Sequence, residues 1–491
     1  MKLQLLLYQA VLGLVPKKLY TMRVDTQIDG VKMVNGHLGL FGPYYIGIVD
    51  NVKLKYMSPK RMKPRELLNE IAAPTNLGRV PPGTVKSSND NQWWITSASI
   101  NDTAGHIYLA HPDPRGTSFY SITSEEDATY ETVKFSDMNK NKKMDIVSAR
   151  TVGGAGELMW LAQPGGKKDG WVPKVVHQGM ADANFALLDK KGKKYVIVAG
   201  RKFSTIGVIW TIEPKGTWLK KDKVRHRVAD NYGAYNDIQM VDLNNDGRVD
   251  ILTSVIKRGA SRGHVISYQL PDDFVFGQWK RTVLAGGFDQ EGSPGRAEAF
   301  WPDVKTRGKT RPHVFVNGAG DGGSYILVPT NPKAGLGFKK MAATPSYGRV
   351  GLTWIGDLSG DGRVELVIPQ EDKIHIYTYG IQAKGKSAFT GHDPMETVEN
   401  PKLAIIPETR FKSNKPTPKT PRGGGRYAGA PMSPYSPYGQ YGYNPYINQV
   451  FFILCFSINN LLALHSNELG VWSVIWWCAG YGTNRVQCTA T

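Results

Sequence analysis

The chain has 491 residues, of which 41% are hydrophobic and 21% charged, and its formal net charge is +19. A surplus of that size suits acidic partners such as carboxylated or sulfated polysaccharide, anionic lipid or nucleic acid. No basic helix interleaved with aromatics and no nucleic-acid motif accompanies it, so a nucleic-acid partner is not expected. The three cysteines, Cys455, Cys478 and Cys488, all lie near the end, and the long cysteine-free remainder gives no redox information.

Met1 to Val15 combine a short basic start with an apolar run, the pattern of a secretory leader, with Ala10 to Gly13 as the best small-residue cleavage stretch. Residues 1–21 are therefore read as a leader and the protein as secreted; a first β-strand is the other reading of these residues. Asn101-Asp-Thr103 is the one glycosylation sequon.

From there a period dominates. An aromatic followed three or four residues later by proline recurs as Tyr108/Pro112, Trp160/Pro164, Trp210/Pro214, Tyr268/Pro271 and Tyr325/Pro329. A weaker Tyr56/Pro59 precedes the set and Tyr377 follows it, at spacings of 50 to 58 residues. Self-similarity at such a period marks an array of one supersecondary unit. Runs such as Lys194 to Ala199, Ile206 to Thr211 and His313 to Val316 are β-branched and aromatic, bounded by turn residues. Four short strands fit in about 52 residues, the size of a propeller blade. The chain is thus expected to be all-β, a seven-bladed β-propeller of four-stranded blades over residues 22–395.

Three stretches share a second pattern: Asp137 to Asp145, Asp242 to Asp250 and Asp357 to Glu365. Oxygen-bearing side chains at positions 1, 3, 5 and 9, with glycine at 6 in the last two, describe a loop around a hard cation such as Ca²⁺. Apolar residues follow each loop, so it enters a strand. An EF-hand needs a glutamate at position 12, where Ser148, Thr253 and Ile368 stand. Asp242, Asn244, Asp246, the Arg248 carbonyl and Asp250 form one expected site, and Asp357, Ser359, Asp361, the Arg363 carbonyl and Glu365 a second. Asp137, Asn139, Asn141, Lys143 and Asp145 form a weaker third, because Lys142 replaces the glycine and the surrounding lysines oppose a cation. Asp189 to Lys194 and Asp303 to Gly308 are degenerate copies with too few carboxylates to bind.

These loops, each leading into a strand, resemble the FG-GAP/VCBS repeats of integrin-α-like β-propellers. The resemblance implies a seven-bladed propeller with Ca²⁺ in hairpin loops on one rim. Its members include adhesion receptors, lectin-like proteins and propellers fused to carbohydrate-active domains, so fold carries over better than activity.

No catalytic constellation stands out among the ten histidines. His177 and His226 recur at similar blade positions, which points to shared packing. Asn317 to Gly323 imitates a phosphate loop, but the strand after it makes it a hairpin turn. The stretch 286–302 lengthens the local period and gathers Asp289, Glu291, Arg296, Glu298 and Trp301, a set suited to sugar binding, with Glu291 and Glu298 as a conceivable acid/base pair.

Residues 396–450 turn basic and then Tyr/Gly/Pro-rich, a composition that builds no core and predicts a disordered tail. In 451–491 an apolar run of 14 residues is interrupted at His465 to Glu468, which argues against a membrane span. The expectation is a secreted, Ca²⁺-stabilised binding or adhesion module for extracellular glycan, protein or anionic, mineralising matrix. A lyase or hydrolase acting on carbohydrate is the alternative, and binding is favoured over catalysis.

Overall fold

The computed structural model describes residues 16–380 apart from 35, 44, 51, 53–62, 69–73, 83, 85–93, 101–102, 112–117, 124–127, 165–169, 214–217, 219, 260 and 345–347, together with 476–480 and 486–490. Its first strand, β1 (Lys17–Arg23), finds no partner among the strands that follow it directly. The next strands form sheets with their sequence neighbours. These are β2 (Gly30–Val34), β3 (His37–Gly42), β4 (Tyr45–Val49) and β5 (Arg65–Leu68), then β6 (Pro74–Arg79), β7 (Trp94–Ile100), β8 (Thr103–His111) and β9 (Ser118–Ser121). A third group is β10 (Ala128–Ser136), β11 (Asp145–Val152), β12 (Ala155–Ala162) and β13 (Val172–Gln178), and a fourth is β14 (Asn184–Lys190), β15 (Lys193–Ala199), β16 (Ile206–Thr211) and β17 (Val224–Asp230).

A five-stranded sheet comes next, made of β18 (Ala234–Tyr235), β19 (Gln239–Val241), β20 (Asp250–Ile256), β21 (Gly263–Gln269) and β22 (Lys280–Phe288). It is followed by β23 (Ala297–Phe300), β24 (His313–Asn317), β25 (Ser324–Pro329) and β26 (Phe338–Thr344). Last come β27 (Trp354–Gly356), β28 (Glu365–Gln370) and β29 (Lys373–Thr378), and here β1 returns as the fourth strand, antiparallel to β29 with Arg23 opposite Lys373.

Neighbouring sheets meet through apolar clusters, and the clusters run round a circle. Phe41, Ile46 and Ile48 pack against Leu77 and Ala110 of the following sheet. Val196 and Ile209 meet Val147 and Trp160. Phe300 and Phe315 meet Leu366 and Ile368. The circle closes where Val31, Leu38 and Leu40 pack on Val367, Ile374 and Ile376. A ring of this kind buries both faces of every small sheet and leaves no long open edge. The molecule is an all-β propeller.

The period maps onto this ring. Tyr108, Trp160, Trp210, Tyr268, Tyr325 and Tyr377 each lie on the third strand of their sheets. One expectation changes. Among the described residues six sheets are four-stranded blades, not seven. In the remaining sheet the first strand breaks at Asn236 to Ile238, where the Asp237 carboxylate accepts the Ile238 N–H at 2.8 Å and its carbonyl accepts the Thr253 hydroxyl. Residue 21, the boundary expected for a leader, lies within β1. Tyr56/Pro59, Pro112, Pro214, the sequon's Asn101 and the tail 396–450 lie outside the described residues. A separate unit, 443–491, contains the hairpin β30 (Trp476–Gly480) and β31 (Val486–Ala490). Among the described residues no helix is long and apolar enough to cross a membrane.

Candidate functional site

All three acidic loops join the first strand of a sheet to the second, and they share one fold. The side chain at position 1 caps the N–H groups of positions 5 and 6. Asp137 accepts from Asn141 at 3.0 Å and Lys142 at 2.8 Å, and Asp242 from Asp246 at 3.2 Å and Gly247 at 2.8 Å. Asp357 does the same with Asp361 at 3.1 Å and Gly362 at 2.8 Å. Position 5 accepts the N–H of position 7, as Asn141, Asp246 and Asp361 each do at 2.8 Å. Position 9 reaches back to the N–H of position 2: Asp145 to Met138 at 3.0 Å, Asp250 to Leu243 at 3.1 Å and Glu365 to Leu358 at 2.7 Å.

The left-handed residues also coincide. Position 6 is left-handed in every loop (Lys142 φ 66°, Gly247 81°, Gly362 88°), and so is position 4 (Lys140 61°, Asn245 60°, Gly360 74°). Lysine at position 6 therefore carries strain that glycine does not, about 1–2 kcal/mol.

Charge separates the loops. Burial, with Asp246 and Asp242 adding repulsion, pushes Asp250 up to about 6. Burial, with Asp361 and Asp357 adding, pushes Glu365 up to about 8. In the first loop Asp145 is raised by burial, with only Asp137 adding repulsion. Two loops thus hold three mutually repelling carboxylates each, a donor set chemically suited to Ca²⁺. The carboxylates are turned onto backbone N–H groups, and among the described residues no three His, Cys, Asp or Glu side chains converge in metal-ligating geometry. Lys143 is drawn toward the Pro164 carbonyl at 3.5 Å. The degenerate copies are structural: Asp189 is the penultimate residue of β14, before a two-residue turn at Lys191 and Gly192, and Asp303 caps a short 3₁₀ turn.

At the opposite end of the ring from these loops, the starts of first strands surround a cavity. Residues just before those strands (Asp29 before β2, Gly292 and Gly295 before β23, Gly351 before β27) line a mouth of about 590 Å³. Glycine is required there, because a Cβ on Gly295 would lie 2.1 Å from Asn317 Oδ1 and one on Gly351 2.4 Å from the Asp29 carbonyl oxygen. Charges of both signs ring the mouth. Arg349 stands 3.8 Å from the buried Asp29, and Arg201 stands 3.9 Å from Glu131 and donates to Asn236 at 2.9 Å. Burial raises the Asp29 carboxyl, against the pull of Arg349.

A smaller cavity of about 210 Å³ follows inside the ring, lined by Lys32, Asp237, Gln239, Glu298 and Thr353. Arg296, Asn317 and Leu352 line both cavities, so the mouth leads into the channel.

The stretch 286–302 is divided by this geometry. Arg296 stands at the junction, Glu291 lines the mouth and Glu298 the channel, so the two glutamates share no cavity as an acid/base pair would. Glu291 is tied to Lys257 at 3.6 Å and to the Gly259 N–H at 3.2 Å. Asp289 is exposed. Trp301 lies at the far end of β23, donating to the Thr310 carbonyl at 2.7 Å beneath the Arg307 guanidinium, which places it in packing.

Asn317 to Gly323 is the hairpin turn expected, between β24 and β25. His177 and His226 pack on each other with centroids 4.4 Å apart. The channel residues Lys32, Asp237, Gln239 and Thr353 went unmarked in the sequence because they share no local motif.

No family model and no curated protein sequence matches the chain. Among solved structures, the Dos1 propeller is similar over 73% of this chain and 80% of its own, at 10% identity and a TM-score of 0.41. The WD40 domain of SCAP from fission yeast is similar over 75% and 99%, at 10% identity and 0.40. The N-terminal domain of Nup159 is similar over 74% and 95%, at 10% identity and 0.43. Likenesses this distant carry no argument of their own. The sheets and their circular packing define the class, a β-propeller.

Proposed function

We propose that this propeller is a secreted binding module of the FG-GAP/VCBS kind, with Ca²⁺ in the loops 242–250 and 357–365 and its ligand site at the opposite end of the first strands. The observation that carries the binding reading is the mouth of about 590 Å³, ringed by Arg201, Arg296 and Arg349 beside Asp29, Glu131 and Glu291. Such a mixture orients a polar ligand, and the guanidiniums favour one bearing carboxylates or sulfates. The partner class is an acidic extracellular glycan, with protein or mineralising matrix presenting the same groups.

Ca²⁺ acts in this reading as a staple for two hairpins, remote from the ligand. Asp242, Asp246 and Asp250 would hold one ion with Asn244 and the Arg248 carbonyl, and Asp357, Asp361 and Glu365 the other with Ser359 and the Arg363 carbonyl. The test is retention of the full chain on immobilised acidic glycans, with and without Ca²⁺, while the eluate is assayed for cleaved sugar. Saturable retention without turnover is expected. Released product would convert the module into an enzyme, and failure to bind any acidic glycan would overturn the reading.

A further inference from the structure

The segment Pro271 to Trp279, which joins β21 to β22, reaches across to the neighbouring sheet and is fastened there. Lys190 of β14 donates to the Asp272 carbonyl at 2.8 Å, and Arg227 of β17 donates to the carbonyls of Val275 at 2.9 Å and Gly277 at 2.8 Å. The Phe274 ring meets Tyr195 edge-on with centroids 4.8 Å apart, and the Phe276 ring meets Trp210 edge-on at 5.7 Å. Phe274 and Val275 are buried by this contact. Phe276 is 70% exposed, the most exposed of the large apolar side chains among the described residues. Ile212, 49% exposed, lies two residues beyond Trp210 and extends the pairing of β16 with β17 through its N–H to the Lys223 carbonyl at 3.0 Å. Side chains two apart along a strand share a face, so Ile212 lies on the side of the sheet that Phe276 covers. A phenyl ring held outward by a fastened backbone forfeits the free energy that an apolar surround would return.

Cations surround these two side chains. Trp210 pairs with Tyr195 on one side and Arg225 on the other, and Lys193 stands two residues before Tyr195 and opposite Lys190. Lys190, Lys193 and Arg225 therefore share the face of Trp210. The turn between β14 and β15 carries Lys191 in a left-handed conformation (φ 54°), where asparagine is the ordinary choice. Among the described residues Lys191, Lys193 and Lys221 have no ion-pair partner, and Lys190, Arg225 and Arg227 hydrogen-bond only to carbonyl oxygens. Lys194, Lys220 and Lys223 are paired with Asp189, Glu213 and Asp222. The carboxylates left over are Asp272 and Asp273, both exposed, so six cations stand against two anions. The acidic loop 242–250 joins the inner strands of the adjoining sheet, whereas 271–279 joins its outer two, so those carboxylates stand toward the ring axis.

We propose that this edge of the propeller docks on an anionic lipid bilayer, with Phe276 and Ile212 entering the interfacial layer and the lysines and Arg225 around them lying against the lipid headgroups. Charge complementarity selects an anionic surface. The outward phenyl selects a bilayer over a polyanionic chain, which cations alone would hold. The turns β14–β15 and β21–β22 lie at the end of the ring away from the mouth, so a docked propeller keeps its mouth free. Docking of this kind goes beyond glycan binding and does not depend on it.

The experiment is cosedimentation of the full chain with phosphatidylcholine vesicles carrying about 30% phosphatidylserine, and with pure phosphatidylcholine vesicles, in chelator so that no Ca²⁺ bridges protein to lipid. Saturable binding to the anionic vesicles is expected, at least about tenfold tighter than to the neutral ones. Phe276→Ser should weaken it at least about tenfold, and Phe276→Trp should preserve it. Lys191→Glu combined with Lys193→Glu should also weaken it at least about tenfold, whereas Arg262→Glu, exposed in the β20–β21 turn at the other end of the ring, should change it less than about twofold. Circular dichroism and thermal melts confirm that each variant folds. Absence of binding to anionic vesicles overturns the proposal. Vesicle binding that ignores Phe276→Ser, or that soluble heparin abolishes for wild type and Phe276→Ser alike, reveals a surface for polyanionic chains and overturns the bilayer assignment. Loss of acidic-glycan retention together with vesicle binding in Phe276→Ser does the same. Glycan retention that fails while vesicle binding holds overturns the glycan reading alone.

Discussion

The Thr21 hydroxyl lies 2.9 Å from His375 Nδ1, joining β1 to β29 across 354 positions of sequence. That contact sits in the strand pair that closes the ring, and the closure explains why β1 is integral. A chain starting at residue 16 should melt as the full protein does, whereas one starting at residue 24 should lose the sheet edge and unfold at markedly lower temperature. Thermal melts of the two truncations decide it. If the proposed leader is removed, the same logic predicts cleavage at or before residue 16, which N-terminal sequencing of the mature protein reads directly.

Acid should destabilise the ring through its histidines. His177, His313 and His375 are each pushed down to about 4, chiefly by burial, with the nearby charge of His226, Arg311 and Lys18 adding. Their folded values lie below the ordinary value of about 6.5, so the unfolded chain takes up protons first. Stability is complete above about pH 6.5 and falls as pH drops toward 4. Buried carboxylates such as Asp29 and Asp182, raised by burial, bend the curve the opposite way. Replacing His313, whose Nδ1 meets the Tyr379 hydroxyl at 2.9 Å, by Asn should flatten the slope of melting temperature against pH in that window. An unchanged slope would falsify the assignment to His313.

The left-handed position 6 makes opposite predictions in two loops. Gly247 has open space where a Cβ would stand, so Gly247→Ala should cost about 1 kcal/mol through backbone strain alone. Lys142→Gly should gain about 0.5–1 kcal/mol, the relief of strain less the greater freedom of glycine in the unfolded chain. Urea titrations of both variants measure the signs.

Calcium should stabilise the protein in two separable steps. At a hundredfold excess over its dissociation constant, an ion bound only to the folded form adds about 3 kcal/mol per site. Asp250→Asn and Glu365→Gln should each remove one share of the Ca²⁺-induced rise in melting temperature, and the double variant all of it. Asp137→Asn should leave that rise intact. A wild-type melt indifferent to Ca²⁺ and chelator defeats the proposal for both loops.

Arg150 and Glu157 form a buried ion pair between β11 and β12, with N–O distances of 2.7 and 2.8 Å and side-chain exposures of 6% and 7%. Gln178 donates to the second carboxylate oxygen at 2.7 Å. Glu157→Gln should cost about 3–5 kcal/mol by stranding the guanidinium, while replacing both by Met and Leu should cost far less. A double-mutant cycle gives the coupling energy.

The sequence by itself determined what is local and repeated. An aromatic at fixed intervals marks the third strand because that strand packs between two sheets and needs a large side chain at an equivalent place each time. Asp, Asn and Gly at set spacings mark the first hairpin because they cap one another's backbone within nine residues. Tertiary structure alone decided the rest. β1 joins a sheet more than 300 residues away, a pairing for which no local pattern exists. Glu291 and Glu298 are neighbours in sequence, yet one lines the mouth and the other the channel, because the start of β23 turns between them. Lys32, Asp237, Gln239 and Thr353 are scattered along the chain and share no local pattern. Only a ring that points its first strands at one axis brings them into the lining of the same small cavity.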